Sequence, residues 1–94
     1  MQTIRVEAKP FSGDKQVFEV TVGEGQDTTK HTVTLSDNYW QKLTDGGIDQ
    51  AELVRRSFEF LLAREPKESI LKEFDLPLIQ KYFTEYENEI SQIN

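Results

Sequence analysis

Cysteine is absent from the 94 residues. Disulfides, thiolate metal sites and a cysteine nucleophile are therefore excluded. Histidine occurs once, as His31. A single imidazole needs partners to hold a metal or to act as a general base, and the sequence places no second group beside it. No apolar run is long enough to span a bilayer, and Met1-Gln2-Thr3-Ile4-Arg5-Val6-Glu7 lacks the core of a secretory leader. The expectation is a cytoplasmic chain with no uncleaved signal peptide and no membrane partner. Basic residues are also scarce: 11 Lys and Arg stand against 17 Asp and Glu, a formal charge of −6. Both halves are acidic, and no base follows Lys81. Nucleic acid is not an expected partner, because polyanion binders set Lys and Arg against phosphates.

The remaining composition is that of a folded domain. Aromatics reach 11%, too many for a disordered chain of this polarity. The length allows one domain, 1–94, with a β-part at 1–35 and a helical part at 36–94.

Three stretches alternate with period two. Ile4, Val6 and Ala8 oppose Thr3, Arg5, Glu7 and Lys9. Phe18, Val20 and Val22 form a second set, and His31, Val33 and Leu35 a third. Gly13-Asp14 and Gly23-Glu24-Gly25-Gln26-Asp27 supply turns between them. This predicts a three-stranded antiparallel meander with one buried face.

Helical signals begin at Ser36, a capping residue before Tyr39, Trp40 and Leu43. Asp45-Gly46-Gly47 ends that helix. Asp49 and Glu52 resemble a capping box and open a helix expected to reach Arg64. Its inner face holds Ala51, Val54, Phe58, Leu61 and Leu62. Pro66 suits the first turn of a third helix, with Ile70, Leu71 and Phe74 inward. Asp75 is placed to cap a fourth, containing Leu78, Ile79, Tyr82 and Phe83. Thr84 and Glu87 form a last capping box before Tyr86, Ile90 and Ile93. The predicted fold is α+β: the meander, then four or five mostly short helices packed on one face of the sheet.

Candidate chemistry is thin. His31 lies on the apolar side of its strand and is expected at the sheet margin, its nitrogens met by solvent or backbone. Gly23 to Lys30 superficially resembles a phosphate loop. It precedes a strand and lacks the Gly-Lys-Ser/Thr helix start. Asp45, Gly46, Gly47 and Asp49 lack calcium-loop spacing. No cofactor or metal is expected, and no residue is assigned to catalysis.

Arg55, Arg56, Arg64 and Lys67 form the basic cluster, with Glu52, Glu59, Glu65 and Glu68 interspersed. A self-neutralised helix face is the simple reading, with Glu52–Arg56 and Glu68–Lys72 as i, i+4 pairs. Leu53 and Phe60 make a second apolar stripe, seven residues apart, opposite the inner face. Either the C-terminal helices bury it, or it is a partner surface. Leu53, Phe60, Arg56 and Arg64 are therefore the candidate interaction residues.

From 33 to 90 the chain resembles a group of small bacterial proteins without an assigned function. The resemblance is carried by Leu35-Ser36-Asp37-Asn38-Tyr39-Trp40 and by Leu53-Val54-Arg55-Arg56-Ser57-Phe58-Glu59-Phe60-Leu61-Leu62. It continues in Arg64-Glu65-Pro66-Lys67-Glu68-Ser69-Ile70-Leu71, Phe74-Asp75-Leu76 and Tyr82-Phe83-Thr84-Glu85-Tyr86-Glu87. The group often has proline in place of Thr84. It implies no activity, substrate or site.

The expected function is a small non-enzymatic interaction or accessory module, acting on an unidentified protein partner or by self-association. Two alternatives stand beside it. The strand 30–35 followed by helices 37–43 and 50–64 resembles ribbon-helix-helix DNA-binding regulators. An enzyme whose carboxylates, Tyr and Arg converge only in space would leave no linear motif.

Overall fold

The computed structural model describes residues 3–92. Ile93, expected at the end of the last helix, lies outside them. Four strands form one sheet in the order β1-β2-β3-β4: β1 is Ile4–Ser12, β2 Lys15–Glu24, β3 Asp27–Ser36 and β4 Glu73–Asp75. The first three pair antiparallel, and β4 joins parallel to β3. The helices are α1 (Asp37–Thr44), α2 (Gln50–Leu62), α3 (Leu78–Tyr82) and α4 (Tyr86–Ile90). A 3-10 turn occupies Lys67–Ser69.

The fold class is α+β, but the expected three-stranded meander is wrong. The sheet is four-stranded and mixed. The segment expected as a third helix after Pro66 makes only the 3-10 turn and then β4. The reason is non-local. After two hairpins β3 still offers outward backbone groups, and these are costly to leave unpaired in a buried setting. The Thr32 N–H donates to the Lys72 carbonyl at 2.7 Å, and the Leu76 N–H donates to the Thr34 carbonyl at 2.9 Å. Asp75 belongs to this strand and does not cap a helix. Its carboxylate accepts from the Thr34 hydroxyl at 2.7 Å and from Lys15 at 3.0 Å.

Local signals do set the two longer helices. The Ser36 hydroxyl accepts from the Tyr39 N–H, and Asp45 closes α1 in the left-handed conformation, φ 53°. The Asp49 carboxylate accepts from the Glu52 N–H at 2.8 Å. Only this half of the capping box forms, because the Glu52 side chain turns to Arg55 and Arg56. The last helix takes no side-chain cap from Thr84; Glu85 precedes it instead. Gly23 is required at the second hairpin. Its φ is +110°, and a Cβ there would overlap the Asp27 carbonyl oxygen.

One sheet face carries Phe18, Val20, Val22, Val33, Leu35 and Phe74, and the helices cover it. The opposite face presents Arg5, Glu7, Lys9, Thr21, Lys30 and Thr32 in cross-strand rows, with Val17 beside Lys9 as an apolar member, and none of these is fully buried. α2 sits between the sheet and the C-terminal helices. Val54, Phe58 and Leu61 meet the core, as expected of its inner face. No helix is long and apolar enough to cross a membrane, among the described residues.

Candidate functional site

Leu53 and Phe60 are not a surface. Leu53 is 0% exposed and Phe60 7%. Their stripe is covered by the C-terminal segment, so α2 is buried on two sides. Phe60 packs edge-on against Tyr86 at 5.2 Å and Phe83 at 5.9 Å between ring centres. Behind them the Tyr86 and Ser57 hydroxyls lie 2.6 Å apart, fully buried.

The two arginines serve the same packing. Arg64 lies 3.6 Å over the Phe60 ring and donates to the Phe60 carbonyl at 3.0 Å. Its guanidinium also pairs with Glu85 and Glu89, both at 3.1 Å, and so clamps α4 to α2. Arg56 pairs with Glu52 at 2.7 Å. Arg55 joins that cluster at 2.6 Å, and the two guanidiniums, Arg55 foremost, hold the Glu52 carboxyl down to about 2. The four proposed interaction residues therefore form no common exposed patch. The Glu68–Lys72 pair also fails, because its helix is missing. Glu68 pairs instead with Lys67 at 2.9 Å, and Lys67 also reaches Asp27 at 3.2 Å.

His31 is not at the sheet margin. It is 1% exposed, because the segment entering β4 closes over it. A carbonyl can only accept, so Nδ1–H donates to the Leu71 carbonyl at 2.7 Å. Nε2 then accepts from the Thr29 hydroxyl at 2.8 Å. Burial pushes its pKa below the ordinary 6.5, and the ring stacks tilted on Phe58 at 5.3 Å. A neutral imidazole with both nitrogens occupied is a structural tie between β3 and the chain at Leu71.

That tie fixes one wall of an apolar concavity. An apolar groove of about 280 Å3 runs between the end of α2, the approach to β4, and α3. Leu61, Ile70, Phe74 and Ile79 form its base, and Leu71, Tyr82 and Phe83 its sides. Leu71 remains 46% exposed and Tyr82 67%, both large apolar surfaces left in water. Glu65 is the single charged residue in the lining. Burial pushes its carboxyl up from the ordinary carboxylate range, and among the described residues nothing pairs with it. The sequence showed this site only in part: Ile70 and Leu71 read as helix-core positions, whereas Tyr82 and Phe83 fit a core or a recognition patch equally.

A second, polar hollow lies between α1 and the α3–α4 segment, lined in part by Lys42, Gln80, Glu87 and Ser91. Its charges are already spent on each other. Lys42 meets Glu87 at 3.4 Å, and the Tyr39 hydroxyl donates to Glu87 at 2.8 Å. Among the described residues, no group of three or more His, Asp or Glu is placed to hold a metal. β3 is paired with β2 along its length and with β4 over Thr32–Thr34, so the middle of its second edge is closed to a two-chain ribbon.

Compared with known proteins, the chain matches no family model, no curated protein and no solved structure.

Proposed function

We propose that this chain is a cytoplasmic, non-enzymatic interaction module whose groove between α2, β4 and α3 receives a short partner segment. The segment carries a large apolar side chain next to a Lys or Arg. The reading rests on one juxtaposition: an apolar trough with Leu71 and Tyr82 open to water, holding an unpaired carboxylate at Glu65. Burying apolar surface supplies non-directional affinity of about 25 cal/mol per Å2 removed from water. A charge at the trough selects what enters, because an occupant lacking a cation would leave that carboxylate desolvated and unpaired. The chain's net charge of −6 favours the same class of partner at longer range.

Selection from a random displayed-peptide library against the folded chain tests this. Enriched peptides are expected to combine Leu, Phe or Ile with an adjacent Lys or Arg. They are expected to lose binding to a Leu71→Asp variant. Enrichment of acidic or purely polar peptides, or of none, contradicts the reading.

A further inference from the structure

β1 is the longer of the two end strands of the sheet. By antiparallel alternation its backbone groups divide between two sides. The Gly23 N–H donates to the Thr3 carbonyl at 2.9 Å, so Thr3, Arg5, Glu7 and Lys9 turn their backbone toward β2. Ile4, Val6 and Ala8 therefore turn theirs outward, and β1 is an end strand of the sheet. Pro10 has no N–H to offer, and beyond Lys9 the register shifts in a bulge. The usable edge is thus Thr3 to Lys9.

The side chains along this edge are unsatisfied by their own chain. Arg5 lies opposite Thr21, and Glu7 lies opposite Glu19, a like-charge pair. Among the described residues, neither Arg5 nor Glu7 has an ion-pair partner.

We infer that β1 pairs antiparallel with β1 of a second copy, about a two-fold axis through Val6, making one continuous eight-stranded sheet. In this register Val6 faces Val6 once, on the axis, while Ile4 faces Ala8 and Arg5 faces Glu7, each twice by symmetry. The outward backbone groups of Ile4, Val6 and Ala8 are all matched, and pairing stops short of Pro10. Arg5 and Glu7 fall at the non-hydrogen-bonded positions, where side chains approach most closely. Neighbouring registers fail on charge. An axis at Glu7 opposes Glu7 to itself and Arg5 to Lys9, and also brings Pro10 against Ile4. An axis at Arg5 opposes Arg5 to itself. A perpendicular two-fold keeps both helical layers on one side and both polar faces on the other. The interface is isologous, so it closes as a dimer.

Sedimentation equilibrium of the full chain tests this, with circular dichroism to confirm folding of each variant. Both substitutions lie on the exposed polar face. The wild type is expected to dimerise. Arg5→Glu alone and Glu7→Arg alone should each weaken the dimer about tenfold or more, because two attractive pairs become repulsive. The double variant Arg5→Glu/Glu7→Arg should restore it. A wild type that stays monomeric at millimolar concentration overturns the inference. So does a dimer indifferent to the single reversals, or a double variant that does not recover. A dimer tightened by Arg5→Glu would assign the Glu7-centred register and overturn the one argued here.

Discussion

The Nδ1 atom of His31 lies 2.7 Å from the carbonyl oxygen of Leu71, forty residues along the chain. This bond joins a central strand of the sheet to the wall of the groove. The fold and the proposed site therefore share one buried side chain, and acid should act on both.

The sign of that effect follows from the lowered pKa. In the folded chain His31 stays neutral below 6.5, where the unfolded chain takes up a proton. Stability is full above pH 6.5 and falls as the pH drops from there toward the folded-state value. His31→Gln should flatten urea-derived stability between about pH 6.5 and 5, the window above ordinary carboxylate titration. Glu65 acts in the opposite sense. Its raised pKa makes the native state bind a proton first, so acidification favours the fold at that site. Glu65→Gln should therefore steepen the loss on the acid side. A profile unchanged by His31→Gln would contradict the account.

Ser57 and Tyr86 give an asymmetric pair of substitutions. The Ser57 hydroxyl donates to the Leu53 carbonyl at 2.8 Å, so the Tyr86 hydroxyl is the donor between them. Tyr86→Phe removes one hydrogen bond and leaves Ser57 satisfied, which should cost about 1 kcal/mol. Ser57→Ala strands the buried Tyr86 hydroxyl and should cost more, up to about 3 kcal/mol. Denaturant titration reads both, and the reverse ranking would sink the donor assignment.

Leu53 and Phe60 separate core from surface. With both buried, Leu53→Ala should cost about 2–5 kcal/mol and Phe60→Ala about 3–5 kcal/mol. Aspartate at either position should unfold the chain. A folded variant that had lost only an association would return the stripe to the surface.

The Glu52 cluster predicts a smaller, acid-sensitive term. Its carboxyl is held down to about 2 by Arg55 and Arg56, so its stabilisation is complete above 4.5 and fades as pH falls toward 2. The pairs are partly exposed to solvent, so Glu52→Ala should cost only about 0.5–1 kcal/mol at neutral pH. That cost should shrink in high salt; a salt-independent loss would point to packing.

These residues also mark what a sequence can carry. Alternation located β1, β2 and β3, because each strand shows one face to the core. Ser36 and Asp49 announced their helices, because a cap is a local event. β4 has three residues and no period of its own. It exists because β3 needed a partner, and that need is invisible near residue 73. The same non-locality misplaced His31, whose cover arrives from Leu71. The Leu53–Phe60 stripe was legible as apolar, but its cover lies some twenty residues downstream. The groove was legible only in part: Tyr82 and Phe83 fit a core or a recognition patch alike, and Leu71, at core-like spacing, remained open.

The groove itself is best tested by an amide-shift titration. The probe is a short peptide alternating Leu, Phe and Lys, with two controls: Lys replaced by Glu, and Leu and Phe replaced by Ser. The account predicts shifts gathered at Glu65, Ile70, Leu71, Phe74, Tyr82 and Phe83 with the first peptide, absent with both controls. Glu65→Lys should abolish them. Shifts spread over the acidic Glu85–Glu89 surface, equal shifts with the Ser control, or none at these six residues would contradict it.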